Sequence, residues 1–277
     1  MPSEAEQVAQ PHPCICRLPK FTPLKQEKTN MKQFEHKVAL VTGAGSGMGR
    51  DTAIVLAERG AAVTLVGRRE EKLAEVAAEI TTAGGRVMSV AGDVSKPEDI
   101  ERAVARTVEA FGGLHYAVNN AGVSGCFDPL PEMSVESWNR TISIDLSSLF
   151  YGLKYEIPAI LAAGGGAIVN VSSVFADRGG PTADYSSAKH GIRGLTRTAA
   201  IQYGRQGLRV NELQPGVIDT EMTQAHPEGT QKVVDNGIPM GRVGTGREIA
   251  TAVAFLLSDE ASYINGAHIA VDGGFLA

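Results

Sequence analysis

Lys37-Val38-Ala39-Leu40-Val41-Thr42-Gly43-Ala44-Gly45-Ser46-Gly47-Met48-Gly49 decides the fold of this 277-residue chain. The apolar run Lys37–Val41 reads as a buried strand. It feeds directly into a glycine-rich loop and then a helix that reaches about Arg59 and stops at Gly60. Glycines let the backbone turn tightly and approach a pyrophosphate. The helix start behind them offers free N–H groups and the positive end of the helix dipole. A glycine loop between a first strand and a first helix therefore predicts a dinucleotide site.

Working outward, the same alternation repeats. Ala62–Val66 reads as a strand, and Glu70–Thr82 as a helix with Leu73, Val76, Ala77 and Ile80 on one face. Arg86–Val90 is a strand, and Pro97 opens a helix to Phe111. Leu114–Val118 is a strand, and Ser134 caps one long helix to about Ala162. Ala167–Val171, a helix over Thr182–Arg205, Leu208–Leu213, a helix over Glu248–Leu257 and a last strand Ala267–Val271 complete the series. Strands alternating with helices predict one α/β domain, a doubly wound and mostly parallel seven-stranded sheet with helices on both faces. Residues 221–240 hold Met222, Gly229, Gly237, Pro239 and Met240, resist reading as a single helix, and are expected to form a substrate lid.

Composition narrows the function. The chain is 43% hydrophobic and 21% charged, with 32 glycines, net charge −5 and pI about 5.7. An acidic chain does not advertise a nucleic-acid surface, and no apolar stretch reaches the ~18 residues that cross a membrane. Three cysteines argue for a reducing, cytoplasmic setting. Residues 1–30 carry Pro2, Pro11, Pro13, Pro19 and Pro23 without apolar periodicity and read as a disordered tail, with Met31 as the native start. Cys14 and Cys16 lack two further ligands at suitable spacing, so no metal is expected.

Tyr185-Ser186-Ser187-Ala188-Lys189 carries the chemistry. A phenol and an ammonium four residues apart share one helix face. The cation favours phenolate, which should lower the tyrosine from its ordinary value near ~10 toward neutrality, as acid–base work at a carbonyl or alcohol requires. After the second strand, Gly67 stands where an acid would hydrogen-bond an NAD ribose, and Arg68 and Arg69 follow. A guanidinium can hold a 2′-phosphate, so NADP(H) is expected over NAD(H). The other reading makes both arginines a solvated helix start.

Gly92-Asp93-Val94, Asn119-Asn120-Ala121-Gly122, Ser172-Ser173 and Pro215-Gly216-Val217-Ile218-Asp219-Thr220 each follow a strand, at the carboxyl ends where open α/β sheets bind ligands. With these segments in this order, the chain from about Lys37 to Ala277 resembles the short-chain dehydrogenase/reductase family, whose domain is a Rossmann fold. The resemblance implies roles. Gly43, Ser46, Gly47, Met48 and Gly49 would cradle the cofactor phosphates. Asp93 and Val94 would contact adenine. Asn120, Ala121 and Gly122 would line the ribose side, and Asn119 would brace the central strands. Pro215, Gly216, Val217 and Thr220 would reach the nicotinamide. Tyr185 would be the proton donor or acceptor, Lys189 would hold the ribose, and a serine would bind the substrate oxygen. The C-terminal Val271–Ala277 looks like a segment that packs across a homotetramer interface.

Two departures from the family pattern stand out. The serine of the family usually lies thirteen residues before the tyrosine, which is Ser172 here. A one-residue deletion in the following loop makes Ser173 the better candidate. Asp145 occupies the position of an asparagine that holds a water beside the lysine. A carboxylate only accepts hydrogen bonds where an amide also donates, so Asp145 is expected to keep the proton relay with a shifted working pH. Cys126 and His190 read as packing or surface residues. The function expected is an NADP(H)-dependent interconversion of a carbonyl and a secondary alcohol. A 3-oxoacyl-thioester reductase or a diol or sugar dehydrogenase is the near alternative, and a non-catalytic NADP(H)-binding regulator the remote one.

Overall fold

The computed structural model describes residues 33–277; the tail, the start at Met31 and the Cys14/Cys16 pair lie outside the described residues. Seven strands, β1 (Val38–Thr42), β2 (Ala62–Gly67), β3 (Arg86–Ala91), β4 (Tyr116–Asn119), β5 (Gly166–Val171), β6 (Leu208–Pro215) and β7 (His268–Val271), form one sheet in the order β3-β2-β1-β4-β5-β6-β7. Every pairing is parallel. The order reverses between β1 and β4, so a crevice opens where their carboxyl-end loops diverge.

Alternation along each strand feeds two cores. Ala39 and Val41, Val63 and Leu65, Val169 and Leu213 pack on one face beneath α1 (Gly47–Glu58), α2 (Glu70–Thr82) and α9 (Gly246–Leu257). Leu40, Val66, Ala117, Ile168 and Val210 pack on the other beneath α3 (Pro97–Phe111), α5 (Ser148–Ala162) and α6 (Ala183–Tyr203). Strands β1 and β2 are buried on both faces, which is why they read as near-continuous apolar runs, the buried Thr64 of β2 being satisfied by Thr107. A reciprocal box between Thr245 and Glu248 starts α9.

The long helix expected from Ser134 to Ala162 is interrupted. Ser134 caps α4 (Val135–Ile142), and Ser143–Ser147 forms a π-helical turn before α5 begins. A π turn inserts one residue into the i→i−4 ladder and re-aims the side chains on it. Here it carries Asp145 into the interior, 2% exposed. Residues 221–240 likewise fold as two pieces, α7 (Glu221–Gln224) and α8 (Pro227–Gly237).

Candidate active site

The loop between β1 and α1 is shaped for close approach. Gly43 and Gly47 have φ of 66° and 51°, the left-handed region that suits glycine. A Cβ on Gly43 would lie 2.8 Å from Asn120 Nδ2, and one on Gly49 would run into the Gly43 carbonyl oxygen. Ser46, at the α1 cap, gives no side-chain hydrogen bond to the helix, and the first turn has no acid. The helix start is thus left for an anion. Thr42 fixes the facing wall: its Oγ1 accepts from the N–H groups of Asn120 and Ala121 at 3.0 and 3.1 Å, and its carbonyl accepts from Asn120 Nδ2 at 3.0 Å.

A cleft of about 420 Å³ joins Gly43, Ser46, Gly47 and Met48 to Arg68, Asp93, Val94, Asn120, Ala121 and Gly122, and extends to Tyr185, Lys189 and Thr220. Burial would push Asp93 up, but hydrogen bonds from Ser95 and the nearby charges of Arg68 and Lys96 outweigh it and hold its carboxyl below the usual range. A larger hollow of about 1340 Å³ lies at the opposite end of the sheet, among Gln33, Glu58, Arg59 and Arg247. It holds none of the strand-end loops, so size alone does not mark the site. Gly49 supports the loop from behind. Pro215, Gly216 and Val217 do not line the cleft; Gly216 abuts Asp272, and Val217 borders a small cavity of about 100 Å³ beside Met240. That edge of the sheet is occupied by the chain's own C-terminal segment.

Tyr185 and Lys189 lie on one face of α6, with Lys189 Nζ 5.1 Å from the centre of the Tyr185 ring. Lys189 is 3% exposed. Its Nζ lies 3.4 Å from Asp145 Oδ2 and donates to the Val171 carbonyl at 3.5 Å. The other Asp145 oxygen accepts from Val123 N–H at 2.8 Å. Burial alone would lower Lys189, yet the charges of Asp145, Tyr185 and Glu212 overcome it and hold the ammonium above its ordinary value. Burial meanwhile pushes Asp145 up, against the pull of Lys189. These two tendencies oppose each other. The facing opposite charges at 3.4 Å and the Val123 hydrogen bond both favour the charged pair.

The two serines separate cleanly. Ser172 Oγ donates to Glu212 Oε1 at 2.6 Å, and Gln214 Nε2 and the Arg193 guanidinium hold the same carboxylate. Arg193 also pairs with Asp177. Ser172 touches the cleft, but its hydroxyl is committed to this network. Ser173 Oγ accepts only the Phe175 N–H, at 3.2 Å, and keeps its own proton to donate. Asn119 Nδ2 bonds Asn170 Oδ1 at 3.1 Å, bracing β4 on β5 as expected, and also bonds Glu156.

Sequence reasoning missed Asp184. It is fully buried and accepts from Thr141 Oγ1 at 2.7 Å, Cys126 N–H at 3.0 Å and its neighbour Tyr185 N–H at 2.8 Å. One carboxylate therefore pins α4, the loop after β4 and the first turn of α6 together. An acid in the first turn of a helix was the available signal. Phe175 was missed as well; its ring meets Tyr185 edge-on at 6.4 Å and Phe275 at 6.5 Å. Cys126 is half-buried, with Sγ 3.0 Å from Asp128, and His190 faces out, bonded to the Ser186 carbonyl.

A glycine loop, a strand-end crevice and a tyrosine–lysine pair in one cleft agree with comparison to known proteins. The family model described as enoyl-(acyl carrier protein) reductase matches residues 43–276. The chain belongs to the short-chain dehydrogenase/reductase family. It is 42% identical over 250 residues to cyclohexanol dehydrogenase of Acinetobacter sp. (strain SE19), covering 90% of this chain and 98% of that one. It is 42% identical over 245 residues to cis-4-hydroxycyclohexanecarboxylate dehydrogenase of Sinomonas cyclohexanicum, covering 88% and 98%. The crystal structure of levodione reductase superposes with a TM-score of 0.83 at 38% identity, covering 87% of this chain and 98% of that one. This short-chain dehydrogenase/reductase is thus an oxidoreductase acting on CH–OH groups, with a nicotinamide dinucleotide as cofactor. The residues present fit that group: the cradle at Gly43 and Gly49 has no room for a side chain, and the start of α1 is uncapped. No helix among the described residues is long and apolar enough to cross a membrane.

Proposed function

We propose that the protein interconverts an alicyclic secondary alcohol and its ketone with NADP(H). The observation that carries this reading is that Tyr185, Lys189 and the glycine loop open onto one cleft. Bound there, the nicotinamide supplies or removes hydride. Tyr185 gives or takes the proton on the substrate oxygen, and Ser173 donates a hydrogen bond to that oxygen. Lys189 holds the ribose and places its charge under the Tyr185 ring. Asp145 balances that charge from behind. Exposed Phe127, whose ring meets His226, and Met222 at the cleft give this surface an apolar character suited to a carbocycle, and two relatives are named for cyclohexane-ring alcohols.

The preference for NADP(H) rests on Gly67, which puts no carboxylate at the end of β2, and on Arg68 and Arg69 in the same cleft. We place the enzyme in the cytoplasm as a homotetramer, on the family's pattern. An acyl-carrier substrate, as the description of the family model suggests, would call for a basic docking surface that a chain of net charge −5 does not favour. The test is oxidation of NADPH, with NADH as control, against cyclic ketones, diketones, 3-oxoacyl thioesters and quinones. Turnover of cyclic ketones with NADPH is expected. Preference for NADH defeats the arginine argument, and preference for thioesters defeats the carbocycle.

A further inference from the structure

Arg69 makes a contact that the chemistry above does not use. Its Nη2 donates to Ser46 Oγ in the phosphate loop at 3.1 Å and lies 3.1 Å from Glu221 Oε2, 152 residues away in sequence. Glu221 is the first residue of α7, where the lid begins. One guanidinium therefore ties the lid to the phosphate loop across the mouth of the cofactor cleft, which Ser46, Arg69 and Glu221 all line. Its neighbour Arg68 differs: no carboxylate among the described residues lies within ion-pair distance of it. Its charge acts instead on Asp93.

The tie is built to be broken. Both partners are about half exposed, 48% and 60%, and exposed pairs hold weakly against water and salt. A phosphate monoester carries between one and a half and two charges at neutral pH against the carboxylate's one, with more acceptor oxygens. Helix α7 has only four residues. Its other ties are hydrogen bonds to near neighbours in sequence: its own Thr220–Thr223 box, Thr223 Oγ1 on the Ile218 carbonyl, Gln224 Nε2 on Asp219, and Thr230 Oγ1 on the Thr223 carbonyl.

We propose that Glu221 is a built-in competitor for the cofactor's 2′-phosphate at Arg69, and that NADP(H), unlike NAD(H), displaces it and unhooks the first turn of the lid from the phosphate loop. This rests on the NADP(H) reading and adds to it a named discriminating residue and a link to the lid. The carboxylate sets a threshold: an adenosine ligand lacking the 2′-phosphate leaves the tie intact, whereas one bearing it exchanges one anion for another on the same nitrogen.

The test uses full-length protein and its E221Q variant, an isosteric change at an exposed position. Affinities for 2′,5′-ADP and 5′-AMP are measured by calorimetry, and hydrogen exchange is followed over 221–237. Glu221→Gln is expected to tighten 2′,5′-ADP about 3- to 10-fold and to leave 5′-AMP within about 2-fold. In the wild type, exchange over 221–237 rises with 2′,5′-ADP and not with 5′-AMP, and E221Q shows the raised exchange without ligand. A wild type that favours 2′,5′-ADP while E221Q binds it unchanged or more weakly overturns the competitor and leaves the cofactor reading standing. A wild type that binds 2′,5′-ADP no tighter than 5′-AMP overturns both.

Discussion

Replacing Asp145 by asparagine removes one negative charge and almost no volume, at a site where Lys189 Nζ lies 3.4 Å away and itself sits 5.1 Å from the Tyr185 ring centre. The carboxylate offsets the ammonium that stabilises a Tyr185 phenolate. Laid end to end, the two contacts set the reach of that opposing charge, and at an effective dielectric of ~20 it acts on the ring with about 2 kcal/mol. Allowing for relaxation and water, this corresponds to a shift of about one pH unit. The sign follows from the charge: without Asp145 the phenolate is favoured, so the rate of alcohol oxidation rises at lower pH, and the alkaline fall of ketone reduction moves down by the same amount. The assay is kcat/KM against pH in both directions, over pH 5 to 10, with Glu101→Gln, the same loss of charge on the exposed face of α3, as a control. A profile that stays put, or moves up, shows that Asp145 is neutral beside Lys189 or is too well screened to act, and refutes the charge-balance argument.

Other outcomes follow from the same contacts. Tyr185→Phe should abolish turnover while cofactor affinity by fluorescence titration stays within a few-fold; retained turnover removes Tyr185 as the acid–base group. Glu156 is fully buried, its Oε1 has no hydrogen-bond partner among the described residues, and burial pushes its carboxyl up to about 7 from 4.5. The folded state therefore holds a proton that the unfolded chain has released, so stability is full below pH 4.5 and is lost as pH rises through 7. Glu156→Gln keeps the shape and should stabilise the protein by roughly 1–3 kcal/mol at pH 8 and by little at pH 4.5, read from urea unfolding; equal effects at both pH values would mean the carboxyl ionises freely. Gly49→Ala drives a methyl into the Gly43 carbonyl and should cost more than about 2 kcal/mol of stability together with at least tenfold in cofactor affinity, measured by thermal unfolding and titration.

Much of the architecture could be read from local pattern. The boundaries of α2 and α3 match the expected Glu70–Thr82 and Pro97–Phe111, because amphipathic spacing, a proline start and a glycine stop are all short-range signals. The π turn at Ser143–Ser147 gave no such signal. Its five residues include no glycine or proline to mark a break, and Asp145 on it meets Val123 and Lys189, contacts made between distant elements. Residues 221–240 were illegible for a different reason: Gly237 and Pro239 mark the end of α8, but Gly229 sits inside it, and what holds the pieces lies far off in the chain. Phe275 packs against Gly237, and Met240 N–H bonds the Gly273 carbonyl, so the C-terminal segment shapes the far end of this stretch. The two serines differ by a partner that no spacing reveals, since Glu212 accepts from the Ser172 hydroxyl whereas the Ser173 hydroxyl accepts from the Phe175 N–H.

These cases share a physical basis. A parallel sheet brings its carboxyl-end loops to one side whatever their detailed sequence, so the positions of Gly43, Asn120, Ser173 and Tyr185 follow from strand order and can be read locally. Charge is different, because it acts through space. Three basic residues at or beside the site each meet an acid from another element: Lys189 meets Asp145, Arg193 meets Glu212, and Arg69 meets Glu221. They range from buried to exposed, and burial sets what each can do. The buried Lys189 pair is weakly screened, so its charge reaches its neighbours at close to full strength. The Arg193 pair, with Glu212 buried, fixes geometry by holding the strand end that carries the serines. The exposed Arg69 pair is screened and exchangeable, so an incoming phosphate can replace it. Added salt should therefore act on the third pair before the first. Raising ionic strength is expected to weaken the hold of Arg69 on Glu221 and to leave the pH profile of turnover nearly unchanged. A profile that moves with salt as much as the hydrogen exchange over 221–237 does would mean that Lys189 and Asp145 are open to water, against their burial.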